Sequence, residues 1–522
     1  MKKIFMFFII SGIIVGLFIG IRAKILTDKE SKIKVEVPQQ EIEINELNLA
    51  ISDIDTLNPL RTKNSHLADI LKLIYEPLIG FDENNQIENM LAESWEKKDN
   101  LTWIIKLRKN IYWHDGEKML TSSDVLYTIN LLINNEINSV YTTNIKNIKS
   151  VDVVDDYNLV ITLNEEDPYF ISKLTFPIIP EHYFKGDGIN DEKKANNPNG
   201  TGPYKYTLSD EQKITLSFND MWWKSKAFKL KNIYLTKYSS YSEAIKGFKS
   251  SEVDMIITNM YKWKESFGFI GINSFGYESS EYETIIANAN GAVLKEPSVR
   301  RAIRQAINME NIITSIYEGN GTIQDVPIIS NSKYAGGSTE YDVEKAKQIL
   351  INAGWVEKNN SWQKNGRTLS FNLLVPESDE TKIMVAEQIK EDLNEISIKI
   401  NIKKSSWESI KKAISANSFE LVLATLDIKN EYMLQDIVTT GNSNNYSNYS
   451  NPEMDIVINN LKSSTGEEYD VNMEEFKRIY KNDVPYIGLY FKNNTILTNK
   501  SVKGEYKSNS FNPYRNIMNF SK

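Results

Sequence analysis

Along LTWIIKLRKNIYWHDG, residues 101–116, Trp103, Ile105 and Leu107 alternate with Thr102, Ile104, Lys106 and Arg108. A period of two puts one set of side chains on a single face, so the stretch predicts a half-buried strand that closes at the turn pair Asp115-Gly116. Directly after it the period becomes helical. Val125, Ile129 and Leu132 share a face, and Thr121 followed by Asp124 has the form of a capping box. Further on, Val299, Ala302, Ile303, Ala306 and Ile307 follow helical spacing, which predicts a helix running on toward Gly319 with Arg300, Arg301 and Arg304 turned outward. Asp342 is placed to cap a helix with the apolar face Val343, Ala346, Ile349, Leu350 and Ala353, and Gly354 to end it in a left-handed residue. From Glu41 onward such signals interleave with no low-complexity break and no fixed-period repeat, the pattern of a large α/β body.

The N-terminus differs. Ile4 to Ile21, IFMFFIISGIIVGLFIGI, carries no charge. As a helix it would reach about 27 Å, close to the hydrocarbon thickness of a bilayer. The run is longer than the apolar core of most cleaved leaders, and the following IRAKIL offers no small-x-small site. Residues 1–26 are therefore read as an uncleaved signal anchor, a single transmembrane helix, and residues 27–40, TDKESKIKVEVPQQ, as a tether. Arg22, Lys24 and Lys29 oppose Lys2 and Lys3 under the positive-inside rule, so flanking charge does not fix orientation.

Composition then removes whole classes of chemistry. The 522-residue chain has no cysteine, which excludes disulfides, thiolate metal sites, cysteine nucleophiles and lipid attachment through a thiol. With 61 Lys and Arg against 69 Asp and Glu, the net charge of -8 speaks against a nucleic-acid partner. The three histidines, His66, His114 and His182, are scattered and form no metalloprotease pattern. His114-Asp115 resembles the ligand pair of some metal phosphohydrolases but lacks the partner histidines and is read as a hairpin turn. GTGPY, residues 200–204, lacks the Lys-Ser/Thr pair of a phosphate loop, and Pro203 removes a backbone donor. No catalytic group, metal site or cofactor is expected.

These segments together carry a resemblance. DIDTLNPL (53–60), IYEPLIGFDENNQIENMLAESWE (74–96), LTWIIKLRKNIYWHDGEKMLTSSDVLYTI (101–129), FPIIPEHYF (176–184), NPNGTGPYKY (197–206), VRRAIRQAINMENII (299–313), YDVEKAKQILINAGW (341–355) and NYSNYSNPEMD (445–455) occur in the order expected for one family. The chain resembles the extracytoplasmic solute-binding proteins of ABC importers, in the family 5 group of oligopeptide, dipeptide and nickel binders. The resemblance implies a two-lobed α/β fold of the periplasmic-binding-protein type II-like kind with a hinge. Lobe I would comprise 41–284 with 481–522 returning to it, and lobe II would comprise 285–480. Crossovers are expected near Ile285 to Asn288 and near Pro485. Binding would be hinge closure on the solute, most simply an oligopeptide, for delivery to an ABC permease, by a monomer whose bulk lies outside the cell.

The chain departs from that family in two respects. Exported members in single-membrane bacteria usually carry a lipid on a cysteine, and the segment 4–21 could replace it. Peptide-binding relatives commonly have a tryptophan followed three residues later by an aspartate that pairs with the peptide's ammonium, and FELVLATLDIKNEYM puts Leu426 and Lys429 at those places. A cation there would repel an ammonium. Three readings stay open: Asp427 takes over if the loop shifts by two residues, the ligand is N-blocked, anionic or bound by its backbone alone, or Asp427 and Lys429 form a solvated turn. Trp407 is a cleft residue or a lobe-edge aromatic, Asn444 and Tyr446 belong to a polar loop that the resemblance sets near the cleft, and Leu57 and Asn58 would face the ligand from the first lobe. Trp222 and Trp223 are read as packing residues. The competing functions are a membrane-anchored sensor without transport and an extracellular hydrolase acting through His114 or Asp115.

Overall fold

A computed structural model describes residues 46–522 apart from 135–136, 168, 225–227, 269 and 465. The segment 4–21 and the tether lie outside these residues. Among the described residues no helix is long and apolar enough to cross a membrane.

The predicted local elements form where the periodicity puts them. Thr102–Leu107 is a strand whose Trp103, Ile105 and Leu107 are buried. The helix Ser122–Ile133 follows, and the Thr121 backbone N–H donates to Asp124 Oδ2 at 2.9 Å. Asp342 Oδ1 accepts from the Lys345 N–H at 2.8 Å to start Val343–Asn352, and Gly354 beyond it has φ +83°.

The helix expected to run from Val299 toward Gly319 is two helices, Pro297–Gln305 and Met309–Ser315. Asn308 caps the second by accepting from the Asn311 N–H at 3.0 Å, a local bond that competes with helix continuation. The arginines also differ from expectation. Arg300 and Arg304 are buried, 2% and 4% exposed, and only Arg301 stays near the surface. Arg300 donates from Nε to the carbonyls of Asp483 and Val484 at 3.0 and 2.9 Å, and Arg304 pairs with Asp325. A guanidinium accepts burial when its fork meets fixed oxygens, and here those oxygens come from distant parts of the chain.

An eleven-stranded sheet dominates the molecule. Its order is Lys399–Ser405, Ser370–Pro376, Leu421–Asp427, Ile272–Ala287, Ile487–Asn499, Met255–Thr258, Glu46–Ser52, Asn232–Tyr238, Lys213–Phe218 and Tyr204–Ser209, with Gly321–Ile323 beside Ile487–Asn499. A separate four-stranded sheet contains Thr102–Leu107. The long antiparallel strands Ile272–Ala287 and Ile487–Asn499 link two bodies of packing. Tyr277 and Ile496 belong to a core built on Leu47, Ile105 and Tyr204, whereas Tyr282 and Phe491 belong to one built on Val422, Met454 and Phe476. The change of core thus falls between Tyr277 and Tyr282 on one strand and between Phe491 and Ile496 on the other. That is upstream of Ile285–Asn288 and downstream of Pro485. The register shifts at the same place, between Glu278 and Tyr282, so that Ser279–Glu281 bulge from the ladder. The packing body that includes Tyr277 and Ile496 is the first half of the molecule, and the body that includes Tyr282 and Phe491 is the second half.

At this crossover lies a buried charge network. Glu283, fully buried, accepts from Lys382 Nζ at 2.7 Å and sits 3.0 Å from Lys492 Nζ, which also reaches Glu281 at 3.0 Å. Burial alone would raise the Glu283 carboxyl, but Lys382 and Lys492 hold it below its ordinary value.

Candidate functional site

The motifs of the first half lock onto one another. Gly202 N–H donates to the Ile74 carbonyl at 2.8 Å and Tyr204 N–H to that of Leu73 at 2.9 Å, which joins GTGPY to IYEPL. His114 accepts the Gly200 N–H on Nδ1 at 3.3 Å, and its Nε2 lies 3.0 Å from the Gly202 carbonyl, so the neutral tautomer with the proton on Nε2 satisfies both. Burial pushes this ring down to about 4. Asp115 Oδ2 lies 2.9 Å from His182 Nε2 and also accepts from Asn199 Nδ2 at 2.5 Å. Asp115, Glu117 and His182 are the one group of potential metal ligands brought together among the described residues. No local signal joins His182 to Asp115, because they lie 67 positions apart in the chain. The hydrogen bonds of His182 and Asn199 already account for the Asp115 arrangement.

Glu76 lies under this junction, 2% exposed. It accepts from the Thr201 hydroxyl at 2.9 Å and from the indole N–H groups of Trp222 and Trp223 at 3.0 and 3.1 Å, so both tryptophans pack and also donate. Burial pushes its carboxyl up to about 7 despite those donors.

The two groups act oppositely on stability. Glu76 holds in the fold a proton that the unfolded chain releases near 4.5, so its contribution is greatest below that value and is lost as pH rises toward 7. His114 stays neutral in the fold while the unfolded chain takes up a proton near 6.5, so its contribution is complete above 6.5 and is lost as pH falls toward 4. Across the shared window the two offset each other. Glu76→Gln removes one of them, and its unfolding midpoint is expected to fall more steeply than wild type's on acidification from pH 6.5 to 4.5. Parallel thermal-melt profiles would contradict this assignment.

Two cavities lie beside the crossover. One, of about 300 Å³, is lined from both halves: Asn64, Asp69, Lys72, Tyr141 and Phe511 from the first, Lys429 and Asn430 from the second, and Ser280 from the bulge. The other, of about 730 Å³, is lined by second-half residues, including Trp407, Asp427, Asp436, Asn444 and Tyr446. Beside them the halves touch directly. Asn85 Nδ2 donates to Asn331 Oδ1 at 2.7 Å, and Asn331 Nδ2 donates to the Glu83 carbonyl at 2.6 Å.

Four of the expected site residues, Trp407, Asp427, Asn444 and Tyr446, thus share one cavity, and Lys429 lines its neighbour. Trp407 opens the helix Trp407–Ser415 capped by Ser406 and is 42% exposed, with Lys411 Nζ 5.7 Å from its ring. Asp427 and Lys429, both exposed, pair with each other at 3.5 Å. The Leu426 side chain just before them is buried, because it lies in the strand Leu421–Asp427 on the set of alternate positions, Val422, Ala424 and Leu426, that faces the second core. Leu57 and Asn58 fall outside both cavities. Both are buried, since Leu57 packs into the first core and Asn58 Oδ1 accepts from the Leu60 N–H at 3.0 Å to shape a turn. Asp436, on the five-residue helix Leu434–Val438, is the cavity residue that sequence reasoning missed. Its stretch is too short to show a period, so only its place in the fold reveals it.

Two packing bodies joined by a pair of long strands, with a cavity lined from both, define a two-lobed binding protein of mixed α/β type. Residues 86–452 match the family model of the bacterial extracellular solute-binding proteins, family 5 middle. The chain belongs to that family. It is 24% identical to the oligopeptide-binding protein AppA of Bacillus subtilis over 494 residues, 91% of this chain and 90% of that one. The structure of AppA in complex with a nonapeptide aligns with a TM-score of 0.62 at 23% identity, covering 91% of this chain and 98% of that one. A structure described as a nickel ABC transporter from Bacillus halodurans aligns with a TM-score of 0.78 at 22% identity, covering 91% and 100%.

Proposed function

We propose that this chain is the substrate-binding receptor of an ABC importer, which captures an extracellular oligopeptide by hinge closure and hands it unaltered to a membrane permease. The observation that carries the reading is the cavity lined from both halves beside the bulged strand pair, a place where a ligand gains contacts only when the halves are together. Likeness over nine-tenths of the chain to a protein named as oligopeptide-binding supports the ligand class. The first half is lobe I and the second half lobe II, with the crossovers between Tyr277 and Tyr282 and between Phe491 and Ile496, and residues 4–21 hold the receptor at the membrane as a single-pass anchor, with the body extracytoplasmic and monomeric.

No bond is made or broken in this scheme. His114, the residue a hydrolase would need, is occupied by the carbonyl of Gly202 and the N–H of Gly200.

Native mass spectrometry of the purified full-length chain tests the reading. A co-purifying peptide mass, or a thermal shift with peptide mixtures, is expected. A response to nickel complexes alone would move the ligand class, and a response to neither would remove the reading. Trp407→Ala, which truncates an exposed ring on the cavity wall, is expected to weaken peptide binding about tenfold without lowering the melting temperature. Unchanged affinity by calorimetry would place Trp407 outside the contact surface.

A further inference from the structure

The charges around the two cavities do not balance once their internal pairs are removed. Asp427 is held by Lys429 at 3.5 Å, and Asp69 by Lys72 at 2.7 Å. Lys411, on the rim of the larger cavity, and Lys63, on the rim of the smaller one, are exposed and screened by water. Asp436 differs. It is half-buried, lines the larger cavity, and has no cation within ion-pair distance among the described residues. The cations that bear on it are Lys173, already bound to Asp167 at 2.6 Å across in the first half, and Lys462. Asn442 is its hydrogen-bonding neighbour. A few residues away, Asn430 lines the cavity between the halves, and its buried Oδ1 has no hydrogen-bond partner. The Oε1 of Gln435 is likewise buried and without a partner. Buried acceptors left open in this way are costly unless a donor arrives.

We propose that Asp436 is the counter-ion for a cationic group of the ligand, an ammonium or a guanidinium, with the Asn430 carbonyl oxygen as a further acceptor for ligand N–H. The inference rests on the peptide-binding reading above and names the chemistry the same site selects. It assigns the role to a helical residue seven positions beyond Lys429, the position at which the family resemblance would look for a carboxylate. Burial already holds the Asp436 carboxyl above its ordinary value, so an arriving cation would meet an under-compensated group rather than a satisfied pair. The unbranched Lys429 ammonium, turned to Asp427, does not oppose it.

The test uses the full-length chain and three pools of random nonapeptides built from the same neutral residues. One pool has a free N-terminal amine, one is N-acetylated, and one is N-acetylated with a single internal Lys or Arg. Retained peptides are counted by mass spectrometry after gel filtration. Wild type is expected to retain at least one cationic pool tenfold or more over the neutral pool, and whichever pool wins identifies the terminal amine or the side chain as the source. In Asp436→Asn that preference is expected to fall to within twofold. Equal retention of all three pools by wild type overturns the inference and leaves peptide binding standing. Retention of none removes peptide binding and the inference together. A preference that survives in Asp436→Asn also overturns it, and because the wild-type comparison needs no variant, poor folding of Asp436→Asn would not shield the proposal.

Discussion

Replacing Glu283 by alanine is expected to lower the unfolding free energy by about 3–5 kcal/mol, because it leaves a buried cation without its partner. Glu283 is fully buried where the two long strands pass from one core to the other, and Lys382, 8% exposed at its side chain, has Glu283 and Thr425 as its bonded partners. The loss comes from the stranded ammonium rather than from the pair's own worth, so Glu283→Ala combined with Lys382→Met should recover most of it. Urea unfolding of the single and double variants separates the cases. A single variant within 1 kcal/mol of wild type would contradict the account.

Gly200→Ala is expected to cost about 3 kcal/mol, at the upper end for an overpacked site. A Cβ at Gly200 would stand 2.0 Å from the Ile74 carbonyl oxygen, and that oxygen is main chain, bonded to the Gly202 N–H, so no side-chain rotation clears it. The backbone approach is what lets GTGPY close over IYEPL, so the variant should also weaken the Glu76 bond to Thr201 and raise proteolysis between the two motifs. Gly116→Ala provides the contrast. No atom lies within 4 Å of its Cβ position, and the φ of +72° leaves only conformational strain, on the order of 1 kcal/mol. Equal melting temperatures for Gly200→Ala and wild type would rule out this packing.

What the sequence revealed follows from the range of the forces involved. The Thr102–Leu107 strand and the Asp342-capped helix were legible because their signals lie within a few residues of each other: an alternating face, a capping side chain, a left-handed glycine. Arg300 and Arg304 were misplaced for the opposite reason. Helical spacing turns a charge outward unless a partner exists, and the partners are Asp483, 183 residues away, and Asp325, 21 away. Glu283 gives no local hint either, since its two lysines come from a distant helix and strand. For the site, the resemblance led to Trp407, Asp427, Lys429, Asn444 and Tyr446, all of which line cavities, while Leu57 and Asn58 lie in a turn whose neighbours Thr62 to Ser65 reach the cavity instead. Asp436 required the fold, because an uncompensated charge is a property of surroundings and not of spacing.

In the proposed cycle the two halves shut around a solute and release it unchanged. Because the chain has no native cysteine, Val154→Cys in the first half and Ile456→Cys in the second, at positions 65% and 60% exposed, would carry the only two spin labels. Double electron–electron resonance on that protein, with and without the peptide pool that it retains, measures the separation of the halves directly. The account predicts a shift of the distance distribution on binding, narrowing to one closed population, with the peptide recovered intact. An identical distribution in ligand-saturated and ligand-free protein, or recovery of cleaved peptide, would contradict it.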